Sequence, residues 1–205
     1  MYRHVVFDVD GTILDTEKAI LESFKNILKT RYSMEVEDED IKFILGIPGR
    51  EVLKRMNLDR IDETMEIWID SLPEYRKMIK IFDGVKELLD ELSDLGINLG
   101  VVTSKTEKEL YDDFSMFDLS RYFKIMVHAE KTERHKPNPE PLEYYIDKAG
   151  ADKTEVIYIG DSIYDSQCAK SAGVDFGLAK WGSDNHSIAA DFGFDSPKDL
   201  IKVIK

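Results

Sequence analysis

Short runs of β-branched and other apolar residues recur along the chain, and each is separated from the next by a stretch with helical spacing. Val5–Phe7, Leu99–Val102, Ile125–Val127, Val156–Ile159 and the neighbourhood of Phe176–Leu178 are the five runs. Strands that are apolar throughout, rather than alternating, are buried on both faces, and parallel strands need crossovers that helices supply. The expected fold class is α/β, with a parallel sheet layered between helices.

The helical stretches have readable faces and ends. Val85, Leu88, Leu89, Leu92 and Leu95 share one face, with Gly96 placed to stop that helix. Leu142, Tyr145, Ile146 and Ala149 do the same between Pro139 or Pro141 and Gly150. Ala169 and Ala172 precede Gly173 on a shorter helix. The result is a Rossmann-like three-layer core.

One segment breaks the alternation. Residues 16–81 carry helical periods and no convincing strand: Ile20, Phe24, Ile27 and Leu28; then Ile41, Ile44 and Leu45; then Val52, Leu53 and Met56 after Pro48-Gly49; then Met65, Trp68, Leu72 and Tyr75 with Pro73 as a break. A crossover needs only about a dozen residues. The surplus reads as an inserted small α-helical domain over the carboxyl end of the first strand. The expected division is 1–15 and 82–205 as the core and 16–81 as the insert.

Charge and cysteine usage narrow the function classes. The chain has 28 basic and 41 acidic residues, a net charge of −13. That balance argues against nucleic acid and against an anionic membrane surface as partners. It leaves a small phosphorylated metabolite open, because a local cation overrides a distant field. Cys168 is the single cysteine, so no intrachain disulfide forms and a reducing compartment is expected. No apolar run reaches the roughly 20 residues of a membrane helix, and Met1–Asp8 meets charge too early for a signal peptide. A cytoplasmic protein is expected, of unassigned oligomeric state.

In open α/β sheets, ligands bind beyond the carboxyl ends of the strands. Asp8-Val9-Asp10-Gly11-Thr12 follows the first strand, Thr103-Ser104-Lys105 the second, and Gly160-Asp161-Ser162 the fourth, with Asp165 one turn later. Lys136-Pro137-Asn138-Pro139-Glu140-Pro141 precedes the helix at Leu142. Asp8, Asp10 and Asp161 would gather like charges at one rim, and a hard divalent cation resolves that repulsion; oxygen-only ligands suit Mg²⁺. Asp8 suits a nucleophile and Asp10 an acid and base. Lys136 supplies a point charge and Thr103 a neutral donor for phosphoryl oxygens.

These four segments resemble, in order, the four motifs of the haloacid dehalogenase superfamily, and the insert resembles the helical cap of its phosphoglycolate phosphatase and β-phosphoglucomutase relatives. The resemblance implies a Mg²⁺-dependent phosphomonoester hydrolase acting through an aspartyl-phosphate at Asp8, with phosphoglycolate as the first substrate to consider. It implies Asp10 as acid and base, and Thr103 and Lys136 as phosphoryl-holding groups. It implies Asp8, the Asp10 carbonyl and Asp161 as metal ligands. Ser104 and Asp165 support the site, Asp165 by serving the metal shell or by orienting Lys136. Asp10 argues against dehalogenation, because dehalogenases lack that second aspartate. Thr12, the Gly160-Asp161 pair and Trp181-Gly182 resemble the phosphatases more than the mutases. A β-phosphoglucomutase-like sugar phosphomutase remains an alternative, as does a non-enzymatic phospho-aspartate signalling module.

Weaker expectations attach to other residues. Arg50 reaches a substrate carboxylate or second phosphate, or is an exposed charge on a first helical turn. Lys105 contacts a phosphate or faces water. Thr103-Ser104 on its own would read as a helix N-cap. Cys168, Trp68 and Trp181 read as packing or rim residues, and no histidine has ligand spacing.

Overall fold

The computed structural model describes residues 1–183 and 185–204. In chain order the elements are β1 (His4–Phe7), β2 (Leu14–Asp15), α1 (Glu17–Tyr32), α2 (Asp38–Ile41), α3 (Gly49–Arg55), α4 (Ile61–Ser71), β3 (Lys80–Ile81), α5 (Val85–Asp94), β4 (Asn98–Val102), α6 (Glu107–Phe117), β5 (Ile125–Val127), α7 (Glu140–Ala149), β6 (Val156–Gly160), α8 (Ile163–Ala172), β7 (Asp175–Ala179), β8 (Phe192–Phe194) and α9 (Ile201–Ile204). Six strands form one parallel sheet in the order β5-β4-β1-β6-β7-β8, while β2 and β3 form a separate two-stranded sheet.

All five expected strands are present and parallel. β8 and the β2–β3 pair are additions. Phe192-Gly193-Phe194 is too short, and its glycine too unlike a strand former, to make an apolar run. It sits at the sheet edge, where one neighbour is enough.

β1 lies centrally, with Phe7 level with Val101 of β4 and Ile159 of β6. Side chains alternate across the sheet. Val6, Val102 and Tyr158 face a layer made by Leu142 and Tyr145 of α7 and Cys168, Ala169 and Ala172 of α8. Phe7 faces the opposite way, where Phe123 meets its ring at 6.5 Å and Phe114 of α6 meets Phe123 at 5.4 Å. Helices therefore cover both faces, and the strands are apolar throughout for that reason. The register has a direct consequence for chemistry. Asp8 emerges at the end of β1, and Thr103 and Asp161 emerge from the strands on either side.

The chain divides into two compact units, 1–14 with 81–205 and 15–80. The second is helical. Phe24 of α1 packs on Trp68 of α4 with ring centres 4.7 Å apart, and Trp68 Nε1 donates to Ser23 Oγ at 2.9 Å. Pro73 falls in a short 3₁₀ turn after α4, where a helix that has lost a donor gives way. No helix among the described residues is long and apolar enough to cross a membrane.

Candidate active site

The loop after β1 is a tight turn built on one carbonyl. Val9 O accepts from the amides of Thr12, Ile13 and Leu14 at 3.2, 2.9 and 2.9 Å, and Gly11 N donates to Leu14 O at 2.8 Å. Gly11 has φ +76°, and a Cβ there would stand 2.3 Å from Asp161 Oδ2, so only glycine lets the loop approach Asp161. Thr12 Oγ1 then donates to Asp161 Oδ1 at 3.1 Å. From the loop after β7, two strands away, Trp181 Nε1 donates to Thr12 O at 2.9 Å. The Trp181-Gly182 pair noted in the sequence thus braces the loop that carries both aspartates.

Asp8 is 3% exposed. Lys136 Nζ lies 2.9 Å from Asp8 Oδ1 and 2.7 Å from Asp165 Oδ1, with all three side chains almost wholly buried. Asp165 has no spare oxygen. Its Oδ1 also lies 2.9 Å from the Tyr158 hydroxyl, and its Oδ2 takes Ser162 N at 3.1 Å and Ser162 Oγ at 2.5 Å. The Ser162 and Asp165 bonds form a capping box at the start of α8, so one carboxylate both caps the helix and holds the lysine. Tyr158, which sequence reasoning passed over as a strand residue, accepts from Lys136 at 3.3 Å and reaches Val102 O at 2.9 Å. An apolar run conceals such a residue, because only its hydroxyl is polar.

Asp10 points elsewhere. Both its oxygens are held by Lys105 Nζ, at 2.7 and 3.0 Å, and the same ammonium meets Asp113 Oδ2 at 3.2 Å. Lys105 therefore neither faces water nor stands clear of other groups. Thr103 Oγ1 accepts from Lys105 N at 3.2 Å, while Ser104 Oγ is buried without a hydrogen-bond partner. Neither residue caps α6; Thr106 does, in a capping box with Glu109. Arg50 belongs to the second unit, on the first turn of α3, where it is exposed and paired with Asp62. Cys168 packs in the core, and burial pushes its thiol up to about 12, consistent with a packing residue.

Carboxylate oxygens of Asp8, Asp161 and Asp165 lie within 4.8 Å of one another. With all three acids ionised, Lys136 would leave 3 − 1 = 2 excess negative charges in a largely buried space. Burial pushes the Asp8 carboxyl up to about 7; Lys136 opposes this, and Asp165 and Asp10 add to it. Burial likewise raises Asp161 well above the carboxylate range, with Asp165 and Asp8 adding to the effect. Burial alone would lower the Lys136 ammonium, but Asp165 and Asp8 outweigh it and keep the group charged. A hard divalent cation fits this donor set, which is all oxygen and carries the charge such an ion would neutralise. Because Asp165 spends its oxygens on Lys136, Tyr158 and Ser162, it suits orienting the lysine better than binding an ion.

The family described as haloacid dehalogenase-like hydrolase matches residues 5–179. The chain belongs to that family. A Caldanaerobacter subterraneus subsp. tengcongensis protein provisionally named pyrophosphatase PpaX is 32% identical over 98% of this chain and 94% of its own length. Pyrophosphatase PpaX of Halalkalibacterium halodurans is 30% identical over 98% and 95%. The crystal structure of a Lactobacillus plantarum protein, provisionally assigned as a phosphoglycolate phosphatase, superposes with a TM-score of 0.92 over 99% of each chain at 25% identity. The resemblance drawn from the motifs, the α/β fold class and the reading as a phosphatase-type hydrolase all hold for this member of the family.

Proposed function

We propose that the chain is a metal-dependent phosphohydrolase that works through an aspartyl-phosphate on a small phosphorylated metabolite. The observation that carries the reading is the buried contact of Lys136 with Asp8 at the carboxyl end of the central strand. Asp8 serves as the nucleophile. Its carboxylate oxygen bonds to phosphorus as the bond to the leaving oxygen breaks, and Asp10 gives that oxygen a proton. Asp10 then takes a proton from the water that attacks the aspartyl-phosphate, which releases phosphate and restores Asp8. Lys136, bonded to Asp8 itself, stands beside any phosphoryl group carried there, and Thr103 and Ser104 supply hydroxyl donors at the end of the neighbouring strand.

Mg²⁺ fits best as the cation, held by Asp8, Asp161 and the main-chain carbonyl of Asp10, and it would neutralise phosphoryl charge when bound. Asp165 orients Lys136. Residues 16–81 act as a cap that excludes bulk water and adds specificity contacts, and Arg50 is the cap residue proposed to meet a substrate carboxylate or second phosphate.

Phosphoglycolate and pyrophosphate are the two leading substrates. The first fits the phosphatase resemblance of the motifs, and the second is named for relatives at 30–32% identity. A panel of phosphorylated metabolites that includes both, run with EDTA and with Mg²⁺ restored, tests the reading. Expected is phosphate release from one of them that EDTA abolishes and Mg²⁺ restores. Full activity in metal-stripped protein overturns the metal role. Conversion of a sugar phosphate into its isomer without phosphate release favours the mutase.

A further inference from the structure

Lys105 is placed with more care than a surface lysine needs. Its amide donates to Thr103 Oγ1 at 3.2 Å and its carbonyl accepts from Ala129 N at 2.8 Å, so its main chain is pinned at both polar groups. Its side chain is 10% exposed and that of Asp113 is 7% exposed. Three ammonium protons meet three carboxylate oxygens, two on Asp10 and one on Asp113. Asp113 is carried by the middle of α6, flanked in sequence by the buried Leu110 and Phe114. Ordering a lysine side chain costs rotamer freedom, so a buried, doubly anchored lysine implies an offsetting role. A lysine meant for phosphate needs donors facing phosphate, and these face Asp10.

We infer that Lys105, anchored by Asp113, is a positioning residue that holds the Asp10 carboxyl group in the orientation from which it exchanges its proton with the leaving oxygen and with water. The inference rests on Asp10 being the acid and base of the proposed function. Asp10 sits on a turn, and a turn alone leaves a carboxyl group free to rotate. Gripping both oxygens removes that rotation. The anchor comes from a helix on the sheet rather than from another loop, which transfers the rigidity of α6 to the reacting group.

The test uses the full-length protein and two kinds of phosphomonoester. p-Nitrophenyl phosphate has a leaving group that departs without a proton, whereas the best alkyl phosphate of the panel needs one. kcat/KM reports the steps through departure of that group. Lys105→Met is expected to lower kcat/KM on the alkyl phosphate by about 10- to 100-fold and on p-nitrophenyl phosphate by less than about 3-fold. Lys105→Arg is expected to recover most of the loss. Asp113→Asn is expected to give the same contrast more weakly, and it carries the test if Lys105→Met does not fold. Equal losses on both substrates, no loss, or a gain in rate overturns the inference; equal losses return Lys105 to phosphate binding. Asp10→Asn separates the two assignments. If that variant lacks the contrast, the acid and base role of Asp10 fails. If it shows the contrast and Lys105→Met does not, the positioning role fails.

Discussion

Two lysine-centred clusters stand side by side on the same turn. Lys136 joins Asp8 of the β1 loop to Asp165 of α8, and Lys105 joins Asp10 of the same loop to Asp113 of α6. Each ammonium thus ties an aspartate of one loop to an aspartate of a flanking helix. They differ in what surrounds them. The Lys136 cluster includes a third acid, Asp161, which is half-buried, so one ammonium faces three carboxylates, and burial pushes Asp8 up to about 7. The Lys105 cluster sets two carboxylates, Asp10 and Asp113, against one ammonium, an excess of one negative charge rather than two. The same device therefore stands at a place that suits a cation in one position and, in the proposed function, at the proton carrier in the other.

The largest effect expected is at Asp8. Asp8→Asn should lower kcat by about 10⁴-fold or more on every substrate, with circular dichroism unchanged. Near-wild-type hydrolysis of p-nitrophenyl phosphate by that variant would break the comparison outright, since Asp8 would then not be the nucleophile. The loss is uniform across leaving groups, unlike the selective loss expected at Lys105.

A second measurement sharpens the charge difference. Asp8 has a folded pKa near 7, raised from 3.8 by burial, so the folded protein binds the proton more tightly than the unfolded chain does. Its ionisation opposes folding, and stability from this group falls as pH rises from about 4 to about 7. Without metal, Asp8→Asn should therefore match wild type near pH 4 and exceed it by several degrees in Tm at pH 8. Mg²⁺ should raise the wild-type Tm more at pH 8 than at pH 5, and by roughly 5–10 °C at a hundredfold excess over Kd. Lys105→Met should keep that response. A Tm difference between wild type and Asp8→Asn that does not vary with pH would remove the imbalance argued for the Lys136 cluster.

The smallest effect tests what the clusters share. Trp181→Phe removes the donor to Thr12 O and should cost about 1 kcal/mol of stability and about fivefold in kcat/KM. The loss should be the same on alkyl and nitrophenyl phosphates, because the brace supports both aspartates. A leaving-group preference in this variant would tie Trp181 to one cluster alone.

The strands and the long helices were legible because their apolar spacing is repeated over whole elements, as at Val85, Leu88, Leu89 and Leu92 or at Val156–Ile159. Strand ends then carried the acidic motifs to one rim, and Asp8, Asp161 and Lys136 were readable as a group for that reason. Contacts decided by a single polar atom were not readable. Tyr158 looked like one more apolar strand residue, and Asp113 like one more acid on a helix. Lys105 was noticed, but its partner was not, because residues 95 apart in sequence leave no spacing to read. The cap of α6 moved from Thr103-Ser104 to Thr106, since Lys105 takes up Thr103 Oγ1 and a full capping box was available three residues later.

A Cβ at position 182 would stand 1.7 Å from Gly11 O, with backbone rather than a movable side chain in its way. Any replacement of Gly182 must therefore lift the β1 turn, and with it Asp10, away from its place. A lesion 171 positions down the chain (182 − 11) would register as lost turnover while the strands and helices stayed intact. Heritable damage to this enzyme can thus arise at a residue that itself has no side chain to lose.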